Sequence, residues 1–392
     1  MKKFCSKCPF EFHISDYKLI FVFIFPICEI LNTKIKEKYL NTYYEFFLTF
    51  PTYLSYLFSF IFIIILKIRN SNQGKKEGIN QRTNSEVNNK GIINIELDKQ
   101  TKMNFIKNII YIIILSGISM AFSHFDYESY HDRRTIGLSY KILIFFLLSY
   151  LILKYKYAKH NYITMGINTF TLIIKYAITI VETDSEEYVG KHIWFYFVYA
   201  LCFCLYFIFG KYYMETYYKT PYFIMFTVGL IISVILIIIA LIKYLAGYDS
   251  DIFNGFNKNV DSIENIFWFI GDILTQFGMY LGLFITVYYF TPCHTIISEN
   301  IMEIGYYIID FNQNEELWEG KKINLNRYIY PFIHLINLIC SLIFNEIIIL
   351  NFCGLDYYTK ERIKEREIED VKNLLNTGNL SELSSDKGSF SN

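Results

Sequence analysis

The sequence is short of the features that mark soluble enzymes and nucleic-acid binders. Its 37 basic and 37 acidic residues cancel, so no excess positive charge is available to neutralise a phosphate backbone, and no nucleic-acid partner is expected. Gly-x-Ser-x-Gly, His-Glu-x-x-His and the phosphate-cradling glycine loop are all missing. Proline is scarce, with 6 residues in 392, so long helices are seldom interrupted. Of the 8 cysteines, Cys28, Cys202, Cys204, Cys293 and Cys340 lie in or beside apolar segments, where they serve as small apolar side chains. Cys5-x-x-Cys8 is the one metal-like spacing, and it lacks the second pair that a zinc module needs. Neither a disulfide framework nor a cofactor site is legible.

What the chain has in abundance is apolar and aromatic surface: 53% of residues are hydrophobic and 19% aromatic, which excludes a disordered chain. The apolar residues form blocks of about 17–25, the length that crosses a hydrocarbon layer about 30 Å thick. Ten such runs are read, at 14–33, 46–66, 103–123, 136–153, 161–181, 192–210, 220–243, 263–290, 295–311 and 328–350. A run such as 231–242 is almost continuously apolar and lacks the alternation of a membrane barrel strand. The expected fold is all-α and polytopic. Residues 14–181 and 192–350 each hold five spans, and an odd number per half gives the halves opposite orientations, as inverted repeats require. Phe50-Pro51 at the start of span two and Thr220-Pro221 at the start of span seven give a faint internal echo.

Loop charge sets the orientation. With ten spans, 22 of the 37 Lys and Arg residues fall on the side of the termini and 11 on the other, so residues 1–13 and 351–392 are expected in the cytosol. The polar stretch 67–102 reads as a flexible cytosolic loop, and the tail as partly disordered after a short charged helix. The expected location is an endomembrane, Golgi or endoplasmic reticulum.

Ionisable groups within spans are costly, so each is a candidate for function. Lys18, Glu29, Lys107 and Lys141 lie near span ends and are expected to snorkel to the headgroups. Lys175, Asp272, Gln276 and Glu303 lie deeper. Asp272 and Gln276 share a helix face at i,i+4, as do Glu299 and Glu303. Two readings are open: a polar central cavity in which Lys175 attracts an anionic group and the others hold a polar ligand or a coupling proton, or a structural ion pair between Lys175 and Asp272. Gly278-x-x-x-Gly282 reads as a site of close helix packing. The segment His124-Phe-Asp-Tyr-Glu-Ser-Tyr-His131-Asp132 mixes imidazoles and carboxylates and is the one place where a metal-dependent membrane enzyme would fit, against the plainer reading of an acidic turn.

Four segments resemble the drug/metabolite transporter superfamily, specifically its solute carrier family 35 and EamA-like members. They are Leu147–His160 with its basic turn, Lys211–Tyr222 followed by Gly229, Tyr288–His294 around Pro292, and Phe344–Leu355. With the ten spans, the similarity covers residues 14–355. It implies alternating access, with a ligand near mid-membrane between the two halves. The expected function is therefore secondary transport of a small organic solute, of the class that includes nucleotide sugars and other anionic metabolites, without enzyme activity. Its partners are the lipid bilayer and that solute, and a homodimer stays open. A receptor or scaffold working through 67–102 and the tail is the other class that fits.

Overall fold

A computed structural model describes residues 10–12, 20–39, 45–77, 93–129, 137–155, 157–182, 186–247, 262–313, 326–350 and 368–369. These residues are almost wholly helical. In chain order the helices are α1 (Phe21–Tyr39), α2 (Glu45–Tyr56), α3 (Ser59–Glu77), α4 (Ile93–Ser129), α5 (Gly137–Leu151), α6 (Lys159–Glu182), α7 (Glu186–Tyr217), α8 (Pro221–Leu245), α9 (Ile263–Tyr289), α10 (Thr295–Gln313) and α11 (Asn326–Phe344). A single 3₁₀ turn, Pro292–His294, joins α9 to α10. Among the described residues, five stretches are long and apolar enough to cross a membrane: Phe50–Arg69, Ile106–Phe125, Trp194–Tyr217, Pro221–Leu245 and Ile263–Tyr289. Tyr140–Leu151 and Pro331–Phe344 are shorter apolar helices.

Polar groups sit inside the bundle and aliphatic ones outside. Lys141, Lys175, Asp272, Gln276, Glu299 and Asn337 are buried, while Ile237, Leu241, Ile242, Ile113, Ile173 and Phe170 are exposed. That distribution suits hydrocarbon as the surrounding medium and is compatible with a multi-pass membrane protein. The middle of the bundle is filled by rings. Tyr56 meets Tyr280 edge-on at 5.1 Å, and Phe284 packs on Tyr206 and Phe207 at 5.4 and 5.3 Å.

The helices pair in a regular way. α1 lies along α9 and α10; α4 lies along α7 and α8; α5 packs on α6 and α7; α2 packs on α8 and α9. α6 pairs with α11, and α10 with α11. Two of these contacts need glycine. A Cβ on Gly229 would stand 2.5 Å from the Cβ of Tyr56 and 3.0 Å from the Tyr53 carbonyl oxygen, so α2 and α8 cross nearly backbone to backbone. Gly278 and Gly282 do the same for α1: a Cβ at either would reach Cys28 Sγ at 2.6 Å or the Phe25 nitrogen at 3.1 Å.

Four sequence-based boundaries shift. The first helix runs from Phe21 to Tyr39, past the expected end at residue 33, and Phe10–Phe12, ahead of the expected span, form strand β1, while residues 13–19 lie outside the described residues. The last helix stops at Phe344 rather than 350, because Asn345 and Glu346 turn the chain, with Glu346 at φ 59, and Ile348–Leu350 become strand β2. β1 and β2 pair antiparallel, with Phe10 opposite Leu350 and Phe12 opposite Ile348. The stretch read as span two is two helices, α2 and α3, separated by Leu57-Phe58. Finally, α3 and α4 extend as helices into the stretch read as a loop over 67–102, so only 78–92 of it lies outside the described residues. Most of the charged tail and both cysteines of the Cys5 pair lie outside them too.

Candidate functional site

The four deep residues fall into two clusters on different helices. Asp272, on α9, is fully buried. Its carboxylate accepts a hydrogen bond from Asn32 Nδ2 of α1 at 2.6 Å, and both its oxygens accept from Gln276 Nε2 at 2.9 Å. Asn32 also donates to Thr275 Oγ1 at 2.9 Å, and Gln276 Oε1 accepts from Thr52 Oγ1 of α2. Amide donors thus surround a buried carboxylate, which is how such a charge is kept in a low-dielectric interior.

Lys175, on α6, is also fully buried, and the groups that act on its charge are Glu303 of α10 and His334 of α11. This cluster belongs to the α6–α10–α11 group of helices, whereas Asp272 belongs to α1, α2 and α9. The hydrogen bonds of Asp272 and the carboxylate acting on Lys175 thus lie in two different groups of helices.

Glu299, one turn before Glu303, serves a second lysine. Lys141 Nζ on α5 donates to both Glu299 oxygens, at 2.9 and 3.1 Å, and approaches the Tyr199 hydroxyl at 3.3 Å. The same ammonium lies 3.9 Å from the Phe203 ring centre. Lys141 was expected to snorkel and is instead 6% exposed. Its depth along the helix was readable from the sequence, but the direction in which the side chain points was not. A four-residue step on α10 leaves its two carboxylates on one face, and they engage lysines from two different helices.

Below Lys175, α6 presents a run of buried polar residues: Asn161, Thr164, Asn168 and Thr171. Their spacing of three and four keeps them on one face, toward α11. Thr171 Oγ1 donates to Asn337 Oδ1 at 2.9 Å, and Asn300 Nδ2 of α10 donates to Ser341 Oγ at 3.3 Å. At the far end of the run, Asn161 Nδ2 donates to the Phe344 carbonyl at 2.8 Å, and His160 Nε2 stands 3.8 Å from Glu346 Oε1.

That end is where the four motif-bearing segments meet. Phe146 and Phe344 enclose Tyr157; Asn345 Nδ2 donates to the Cys293 carbonyl at 3.3 Å; Lys211 Nζ donates to the Tyr288 carbonyl at 3.0 Å. Burial holds the Tyr157 phenol in this loop well above its ordinary ionisation range.

His124 lies exposed near the end of α4, and the rest of the 124–132 segment from Asp126 on contributes no described side chains. Sequence reasoning passed over Asn32, Thr52, Asn168 and His334. The regular polar spacing along α6, in a helix otherwise apolar, was the signal that could have found the seam it forms with α11. No known protein family matches this chain, and no curated protein matches it.

Proposed function

We propose that the protein is a secondary transporter of a small organic solute, built from ten spans as two inverted five-helix halves that work by alternating access. One observation carries the reading: the helix pairings survive exchange of the halves. Count α2 and α3 as one span, and exchange α1 with α7, α2/α3 with α8, α4 with α9, α5 with α10, and α6 with α11. Then α1–α9 becomes α7–α4, α1–α10 becomes α7–α5, α2–α9 becomes α8–α4, and α10–α11 becomes α5–α6, while α2–α8 and α6–α11 map onto themselves. Every one of these partner pairs is present. Among the slighter contacts, α8–α9 has its counterpart in α2–α4, whereas α7–α9 has none of comparable extent. Internal two-fold organisation of this kind is what rocking of one half against the other requires.

Pairing of β1 with β2 supports an even number of crossings, since it brings residues 10–12 and 348–350 to one end of the bundle. The positive loops favour the cytosol for that end. Buried Lys141, held by Glu299, and buried Lys175, whose charge is favoured by Glu303, favour an anionic solute, in keeping with the resemblance to the drug/metabolite transporter superfamily. Asp272 and Gln276 supply polar positions near the other half.

The test is uptake by proteoliposomes from a panel of radiolabelled nucleotide sugars, sugar phosphates and carboxylates, followed by counterflow for any solute accumulated. Lys175→Ala should abolish uptake while leaving expression and monodispersity intact. Full uptake by that variant removes Lys175 from the site, and absence of uptake for every class removes the transport reading.

A further inference from the structure

The α6–α11 seam holds more polar groups than packing needs. Its rungs are the buried α6 residues Asn161, Thr164, Asn168, Thr171 and Lys175, with Asn161 Nδ2 donating to the Phe344 carbonyl, Thr171 Oγ1 to Asn337 Oδ1, and the charge of Lys175 acting on His334. From Asn161 to Lys175 the seam is about 21 Å long at 1.5 Å per residue. Titratable groups close both ends. Lys175, Glu303 and His334 form one end, and His160 with Glu346 the other. The remaining charges packed nearby are committed elsewhere, Glu299 to Lys141 of α5.

Between the ends lies Asn168, fully buried, with neither its Nδ2 nor its Oδ1 hydrogen-bonded among the described residues. Asn300 Oδ1 on the adjoining α10, whose Nδ2 donates to Ser341 Oγ of α11, is in the same condition. Leaving a buried amide unmet costs far more than the bond it would make, whereas a site with two to four polar partners holds water well. A metal cation is disfavoured, because the Lys175 ammonium stands two rungs away and Asn168 offers a donor as well as an acceptor. Water and hydroxyls, each both donor and acceptor, suit a proton.

We propose that the α6–α11 seam is a proton path, in which water held at Asn168 and Asn300 joins the Lys175–Glu303–His334 cluster to the His160–Glu346 pair. A proton taken up at the His160–Glu346 end is passed along the water file to the Glu303 carboxylate, and only O–H and N–H bonds change. As the source of a coupling proton, the path rests on the transport reading given above.

The experiment uses the full chain in phosphatidylcholine vesicles, with the proton as its own probe. After a rapid acidification, infrared difference spectra follow the carbonyl band of a protonated carboxylic acid. The band should disappear in Glu303→Gln. In Asn168→Leu it should reach the same amplitude about tenfold more slowly, the slowing that about 1.4 kcal/mol on the barrier produces. Asn168→Ser, which keeps room and a hydroxyl for water, should respond at close to the parent rate and so separates a blocked path from a damaged fold. A parent rate in Asn168→Leu, or a band that survives Glu303→Gln, overturns the path. Solute uptake indifferent to pH on both sides would overturn the path and leave transport standing. Proton uptake at Glu303, gated by Asn168 but without uptake of any solute, would sustain the path and remove transport.

Discussion

Replacing either member of the Lys141–Glu299 pair should be more damaging than replacing both. The ammonium and carboxylate are almost wholly buried and joined by two charge-assisted hydrogen bonds, at 2.9 and 3.1 Å, with the Phe203 face 3.9 Å from the charge. Removing one partner strands the other as a lone charge in a low-dielectric interior, at a cost of about 3–5 kcal/mol. Replacing both by apolar side chains of similar volume removes the desolvation penalty together with the attraction and is close to neutral. Unfolding entropy of about 2.1 cal/mol/K per residue over the chain makes 3–5 kcal/mol equivalent to about 4–6 °C. Lys141→Met and Glu299→Leu should therefore each lower the midpoint of a thermal melt in detergent, followed by size-exclusion fluorescence, by that amount. The double variant should lie within about 1–2 °C of the parent. Losses that simply add in the double variant would show that the two residues do not act on each other. Singles that melt with the parent would mean that Lys141 reaches water after all, and the buried pair would be refuted.

Helix crossing gives a second expectation. Gly229→Ala must push Tyr56 or its backbone aside and should cost about 1–3 kcal/mol, read as a lower melting midpoint. Gly210→Ala, whose added methyl meets only Phe284 at 3.6 Å, should leave it unchanged. In the α6–α11 seam, Thr171→Val leaves the buried Asn337 oxygen short of a donor and should destabilise by about 1–3 kcal/mol in the same melt. Tyr157 supplies a pH dependence. Its folded pKa is raised, so its stabilising effect is complete below the unfolded value of about 10 and is lost as pH rises above it. Tyr157→Phe should blunt the fall in melting midpoint on the alkaline side, and an unchanged alkaline profile would place the titrating group elsewhere.

Helical content and the five described stretches long and apolar enough to cross a membrane were legible because hydrocarbon thickness and the cost of unpaired backbone groups leave little choice. The i,i+4 relation of Asp272 and Gln276 was legible for the same kind of reason, and the two side chains hydrogen-bond at 2.9 Å. Partners were not. Glu299 and Glu303 share a helix face, yet one holds Lys141 and the other acts on Lys175, a division set by which helix stands beside each. Asn32 is one of several polar residues in the second half of α1 and carries no signal of its own until α9 is laid against it. The ends were misjudged where apolar residues continue past the helix. Residues 347–350 read as span, but the turn at Glu346 diverts them into a strand, and apolar composition does not distinguish the two.

The pairing of Phe10–Phe12 with Ile348–Leu350 has a consequence for how the chain is made. β1 leaves the ribosome first and its partner strand more than three hundred residues later, a wait of roughly 17–67 s at about 5–20 residues per second. Until then Phe10 and Phe12, two residues with strand preference, lack this partner in the nascent chain. A translation product stopped after α11 would contain every helix and still lack this clasp, so its first segment should be open to proteases that leave the finished protein intact.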